Sequence, residues 1–307
     1  MAHFIAEKHI SVKFTSSYNK LIADSISRLI VLPHTVFALP FALSAFVLAW
    51  QLSPSLRWPM FLEKLALIIL AVFMARTAAM GFNRIIDATI DKKNPRTSQR
   101  EIPSGVVKKW QALVLVLAAS ASFFGASFFL GRHCLILAPA VLAILFFYSL
   151  TKRFTALSHL FLGLCLAAAP GGAWWVLRPH VEPVPLVLMM AVCFWVTGFD
   201  ILYSCQDIEF DRANKLFSIP AKLGLERAFM LSRMFHIVSF VGFIFVGLLA
   251  QLSSVYFAGM IVLGLLFVGQ HMIVSPANLS RINHSFFTFN GILSVVYFLL
   301  VCVGAPN

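Results

Sequence analysis

Apolar residues in this chain come in long blocks separated by short polar stretches. An α-helix needs about twenty apolar residues to cross the roughly 30 Å hydrocarbon layer of a bilayer. Blocks of that size fall at about 28–50, 61–82, 110–130, 134–151, 156–177, 184–204, 229–250, 255–274 and 285–304. The pattern predicts an all-α, polytopic membrane protein with nine transmembrane helices. Some connections are very short: Gly131-Arg132-His133 joins the third span to the fourth, and a few residues around Lys152-Arg153 join the fourth to the fifth.

Composition agrees. Of 307 residues, 60% are apolar and only 12% charged, with 31 phenylalanines. Soluble domains run near 45–50% apolar and about 25% charged. A globule of this length has too little interior for so much apolar surface. A secreted disulfide scaffold, a disordered chain and a soluble nucleic-acid binder are excluded, despite a net charge of +12. The five cysteines are scattered, without a C-x-x-C pair, and four lie in or beside apolar blocks, where they read as small buried hydrophobes. The first twenty residues contain no apolar core or cleavage site, so no signal peptide is expected.

The charge acts mainly as an orientation signal. With a cytoplasmic N-terminus (1–25), nineteen of the 24 basic residues fall in inside segments and four outside, and Arg76 lies within a span. The two longest inside segments, 83–109 and 205–227, are expected to cap a single 1–307 domain.

The acids are few and unevenly placed. Six of the twelve lie in Asn83-Arg-Ile-Ile-Asp87-Ala-Thr-Ile-Asp91 and in Asp200-Ile-Leu-Tyr203-Ser-Cys-Gln-Asp207-Ile-Glu-Phe-Asp211. Both stretches end even-numbered spans on the predicted cytoplasmic side. Asp87 to Asp207 and Asp91 to Asp211 are both 120 residues apart, which suggests two related four-helix sets. If each stretch continues its helix, its i, i+4 carboxylates share a face, and the two pairs together make a strongly negative mouth. Carboxylates near a membrane need partners. Mg²⁺ suits them, because it takes one or two carboxylates and completes its shell with phosphate oxygens and water. The bland alternative, pairing with nearby loop bases, would suffice for one such stretch but not for two of equal spacing. Glu209 is expected to point away from the Asp207/Asp211 face.

Asn83 and Arg76 share the face of Asp87. Tyr148, Lys152 and Arg153 sit at the cytoplasmic end of the fourth span, and Lys222 follows the second acidic stretch. Carboxylates for a metal, with convergent Lys and Arg, suit a diphosphate. The opposing reading for Lys152 and Arg153 is an ordinary basic inside loop. His34, in the first span, is expected to be a hydrogen-bonded interior histidine, with Arg28 the nearest preceding base.

Asn83-x-x-x-Asp87-x-x-x-Asp91, followed by Asn94-Pro-Arg-Thr and Arg100-Glu-Ile-Pro-Ser-Gly105, resembles the first signature of the UbiA superfamily of intramembrane aromatic prenyltransferases. Asp200-x-x-Tyr203-x-x-x-Asp207-x-x-x-Asp211 resembles the second and Tyr148-x-x-x-Lys152 a third. His34-Thr-Val-Phe-Ala-Leu-Pro-Phe41, Arg76-Thr-Ala-Ala-Met-Gly-Phe-Asn83, Pro170-Gly-Gly-Ala-Trp174 and Ser218-Ile-Pro-Ala look like the 4-hydroxybenzoate polyprenyltransferase subgroup. Some of its members act on a dihydroxynaphthoate in menaquinone synthesis.

The resemblance implies nine helices around a central cavity in the cytoplasmic (inner) membrane. It also implies transfer of a polyprenyl group from a polyprenyl diphosphate to a small aromatic acid. Asp87, Asp91, Asp207 and Asp211, with Asn83, would hold two Mg²⁺ ions. Lys152, Tyr203, Arg153 and Lys222 would hold the diphosphate, Arg76 and Tyr148 would complete substrate binding, and Asp200, counted with the four aspartates as catalytic, would support the site or orient Tyr203 and the acceptor. No protein or nucleic-acid partner is implied. An alternative, a transporter using intramembrane carboxylates, predicts acids near span centres rather than at one surface beside bases. Membrane phosphotransferases with paired aspartates need a D-G before the A-R, which Ala75-Arg76 lacks.

Overall fold

In lipid every backbone N–H and C=O must be satisfied within the protein, and a helix does so within one segment. The computed structural model describes residues 32–53 and 58–305, with side chains in the first segment given from Phe37 onward. Among the described residues it is helical throughout and contains no strand. The long helices are α1 (Leu32–Gln51), α2 (Trp58–Lys93), α3 (Lys109–Leu130), α4 (Arg132–Thr151), α5 (Ser158–Trp175) and α6 (Pro183–Ser204). Two short helices follow, α7 (Ile208–Ala213) and α8 (Ile219–Leu223). Then come α9 (Leu225–Leu249), α10 (Ser254–Met272) and α11 (Ile282–Val303), the last interrupted by a π-helical segment at Ser285–Phe289. The N-terminal segment 1–25 and Arg28 lie outside the described residues, as does the side chain of His34.

Seven of these helices are long and apolar enough to cross a membrane. Two of the nine expected spans fall short on that measure. The described apolar part of α1 is only Phe37–Gln51, and α5 is diluted by His159, Pro170, Gly171 and Gly172. α6 is the interior helix. Two-thirds of its apolar window (67%) is buried, against 28–39% for the other six. Close approach at glycines makes this enclosure possible. A Cβ on Gly163 of α5 would stand 2.4 Å from the Cys193 carbonyl oxygen of α6, and one on Gly198 of α6 would stand 2.3 Å from the His236 ring of α9. No side chain fits at either crossing.

Two local expectations change. α2 runs past the expected span end at residue 82 to Lys93, so Asn83, Asp87 and Asp91 ride on one continuous helix and the loop expected from residue 83 begins only at Asn94. The second acidic stretch does not continue its helix. α6 ends at Ser204, Cys205–Asp207 forms a 3₁₀ turn, and α7 starts afresh. Ser204 Oγ and Gln206 Nε2 donate to the carbonyls of Ile201 and Tyr203 at 2.8 and 3.0 Å, which tightens this turn. Asp207 and Asp211 therefore belong to different helical frames. The five cysteines are free; Cys165, Cys193 and Cys205 are buried, Cys134 is half-buried, and Cys302 is exposed.

Candidate active site

The C-terminal ends of α2, α4 and α6 meet the N-terminal end of α5, and the loop after α2 folds back over them. A polar chamber of about 190 Å³ lies between these ends, lined by Asn83, Asp87, Asp91, Lys152, Asp207 and Asp211 among others. Beneath it an apolar chamber of about 280 Å³ extends between α1, α2, α4, α5 and α6. Asn83, Arg100, Tyr148, Asp200 and Tyr203 line both chambers and form their junction.

Asp87, Asp91 and Asp207 are paired with cations rather than open. Asp87, only 2% exposed, accepts from Asn83 Nδ2 at 3.1 Å, Lys152 Nζ at 3.0 Å and Arg153 Nη2 at 2.9 Å. Arg153 also donates to the carbonyls of Ile86 and Ser149, which fixes it between α2 and α4. Arg100 Nη1 reaches both oxygens of Asp91 at 2.9 Å. Arg96 grips both oxygens of Asp207, and Asn94 Nδ2 adds a third bond at 3.0 Å. Burial opposes the charge on Arg96, but its bonds to Asp207 and the nearby Tyr203 and Asp91 more than offset this and raise its pKa.

At Asp87, Asp91 and Asp207 the expected negative mouth is thus one of ion pairs, because carboxylates removed from water need cations whether or not a metal is present. The loop bases Arg100 and Arg96 supply them for Asp91 and Asp207, so pairing with nearby loop bases serves both stretches, contrary to the expectation that it would serve only one. Among the described residues no three His, Cys, Asp or Glu side chains converge as a ready metal cage. The oxygen donors still fit Mg²⁺, which binds through one or two carboxylates when phosphate oxygens complete its shell.

Tyr203 stands at the junction. Its hydroxyl accepts from Arg96 Nη1 at 3.3 Å, and the Arg96 guanidinium lies 5.4 Å from its ring centroid. Its ring also packs against Phe286, at 4.1 Å between centroids, and edge-on to Phe287 at 6.3 Å. Phe286 belongs to the π-helical segment, and with Phe37 and Phe199 it lines the apolar chamber. Arg76 also lines that chamber, away from the four aspartates.

Lys222 does not join the site. α8 buries Ile219 and Pro220 and leaves Lys222, in its last turn, exposed and lining neither chamber. Glu209 is exposed, as expected. Four residues that motif reading did not assign do belong here: Asn94, Arg96, Arg100 and His159. The first three carried a signal, since they sit in the Asn94-Pro-Arg-Thr and Arg100-Glu-Ile-Pro stretches. His159 carried none.

Comparison with known proteins assigns the class. Residues 38–292 match the UbiA prenyltransferase family, and the chain belongs to that family of enzymes. A solved UbiA homolog from Aeropyrum pernix K1 is 33% identical and superposes with a TM-score of 0.77, covering 88% of this chain and 97% of its own. A 4-hydroxybenzoate octaprenyltransferase of Francisella tularensis subsp. novicida is 23% identical over 84% of this chain and 89% of its own length. Another, of Vibrio atlanticus, is 27% identical over 68% and 73%. The fold is shared with a UbiA homolog from Archaeoglobus fulgidus bound to GPP and Mg²⁺, at 17% identity and a TM-score of 0.63 over 91% and 99% of the two chains. This protein is therefore a prenyltransferase with a helical membrane fold.

Proposed function

We propose that this prenyltransferase moves a polyprenyl group from a polyprenyl diphosphate to an aromatic acid, 4-hydroxybenzoate or a dihydroxynaphthoate, in ubiquinone or menaquinone biosynthesis. The observation that carries this reading is the junction of the two chambers. A cation-rich polar chamber opens directly into an apolar one, as a diphosphate attached to a hydrocarbon chain requires. The named relatives support the acceptor class.

Asn83, Asp87, Asp91, Asp207 and Asp211 are the oxygen donors that would hold Mg²⁺, two ions in this reading. When bound, Mg²⁺ supplies positive charge to the diphosphate oxygens. Lys152, Arg96 and Arg100 neutralise the leaving diphosphate, the two arginines turning from Asp207 and Asp91 toward its oxygens. Arg153, held by three acceptors, fixes Asp87. Tyr203 and Tyr148 flank the reacting carbon at the junction, and Arg76 with Tyr148 contacts substrate in the apolar chamber. The apolar walls exclude water that would capture the allylic cation, and the faces of Phe286 and Tyr203 stabilise it. The acceptor ring attacks ortho to its hydroxyl.

In the membrane we read nine spans in two related four-helix sets plus one. The N-terminus and the polar chamber face the cytoplasm across the inner membrane. The 120-residue offset and the drawing of one acidic pair from each set into one chamber support this arrangement. The test is purified protein in nanodiscs, given a polyprenyl diphosphate, Mg²⁺ and either acceptor. Prenylated product by mass spectrometry, abolished by chelation, is expected. Ion flux without any prenylated product overturns the proposal.

A further inference from the structure

Ring prenylation ends with loss of a proton from the attacked carbon, and the junction contains one group suited to receive it. Among the described residues, Asp200 is the one carboxylate lining both chambers. Among the described residues no lysine or arginine forms an ion pair with it. Its Oδ2 lies 2.7 Å from Nδ1 of His159, a side chain only 4% exposed.

The other side of that imidazole fixes its proton. The backbone N–H of Ile219, at the start of α8, points at His159 Nε2 from 3.3 Å. A backbone N–H can only donate, so Nε2 presents its lone pair; in the neutral ring the proton is then on Nδ1 and is donated to Asp200. The geometry thus makes the ring a hydrogen-bond donor to Asp200 through Nδ1.

We infer that His159 is a positioning residue for the proton-removal step. It engages Oδ2 of Asp200 and so presents Oδ1 to the ring proton of the acceptor. The inference rests on the prenyl-transfer reading above. In the step, the allylic C–O bond breaks and its electron pair leaves with diphosphate. A π pair of the ring forms the new C–C bond. The C–H bond at that carbon then breaks, its electrons restore the ring, and the proton passes to Asp200 Oδ1 and later to water through the polar chamber. His159 cannot take this proton itself, since both nitrogens are engaged and the ring is buried. Tyr203 is poorly placed as well, because its oxygen already accepts from Arg96.

The test compares wild type with His159→Leu, His159→Asn and His159→Gln in nanodiscs. The acceptor is one that wild type uses, with and without deuterium at the reacting ring carbon. His159→Leu is expected to lower kcat by about tenfold or more while leaving the donor KM within about twofold. A primary isotope effect absent from wild type then appears, because proton loss has become slow. His159→Asn places an amide N–H near the position of Nδ1 and restores most of kcat without the isotope effect. His159→Gln places its amide at the other nitrogen and behaves like His159→Leu. If His159→Leu does not fold, the Asn and Gln variants alone decide. Equal rates for those two amides, or a fall in kcat without an isotope effect, overturn the inference. Failure of the underlying reading looks different: wild type itself would yield no prenylated ring.

Discussion

Arg96, in the loop after α2, grips both carboxylate oxygens of Asp207, which lies 111 residues further along the chain. The pair ties the first acidic stretch to the second. It also sets up two competitions: a diphosphate oxygen would compete with Asp207 for the guanidinium, and a metal ion would compete with the guanidinium for Asp207. A bidentate arginine is not replaceable by a point charge. Arg96→Lys and Arg96→Gln should therefore both raise the donor KM, roughly tenfold, in line with the loss of a charge-assisted pair. With that competing cation removed, Arg96→Gln should also reach half-maximal activity at lower Mg²⁺ than wild type, read from magnesium titrations at saturating donor.

Asp87 and Asp207 are each engaged by cations, but only Asp87 is almost wholly buried. Asp87→Ala and Asp207→Ala should each abolish turnover, a loss of at least about a hundredfold by analogy with removal of a preorganised electrostatic group. Asp87→Ala should also destabilise the protein, leaving Lys152 and Arg153 facing each other. Both bases are about a third exposed, so the cost is moderated by solvent to roughly 1–2 kcal/mol. Thermal unfolding in detergent should show a lower Tm for Asp87→Ala than for Asp207→Ala. Near-normal activity in either variant would refute the assignment.

Phe286 packs against the Tyr203 ring at the chamber junction, tilted by 32°. Phe286→Leu keeps the apolar volume but removes the π face. A desolvated cation–π contact is worth about 0.5–2 kcal/mol, so kcat should fall by roughly 2- to 30-fold, with the donor KM nearly unchanged. Single-turnover measurement of diphosphate release separates this from an effect on product release.

Lys222 serves as the negative control. Exposed and outside both chambers, it should tolerate Lys222→Ala with kcat and KM within about twofold, as exposed substitutions usually do. A large loss would return it to the site.

Gly163 offers a test of the packing. Gly163→Ala forces a methyl group to within 2.4 Å of a backbone oxygen that cannot rotate away. Overpacking of this kind costs about 1–3 kcal/mol, so Tm should fall measurably. α5 carries His159, so the separation of α5 from α6 should also slow turnover.

Much of this molecule is legible in its sequence. Block length and apolarity determine a helical membrane protein, because the bilayer thickness and the need to satisfy backbone groups leave few other solutions. The spacing Asn83–Asp87–Asp91 fixes a shared helical face, since i, i+4 positions neighbour each other on any helix. The family follows from those local motifs. Three things were decided only by the tertiary structure. The partners of the aspartates are one: Arg96 reaches Asp207 across 111 residues and Arg153 reaches Asp87 across 66. The break at Cys205–Asp207 is another, set by side chains folding back on their own turn. The third is His159, which meets Asp200 and Ile219 from 41 and 60 residues away. Local spacing carries facts about one helix, whereas a contact between helices depends on how they pack, and no window of sequence contains both partners.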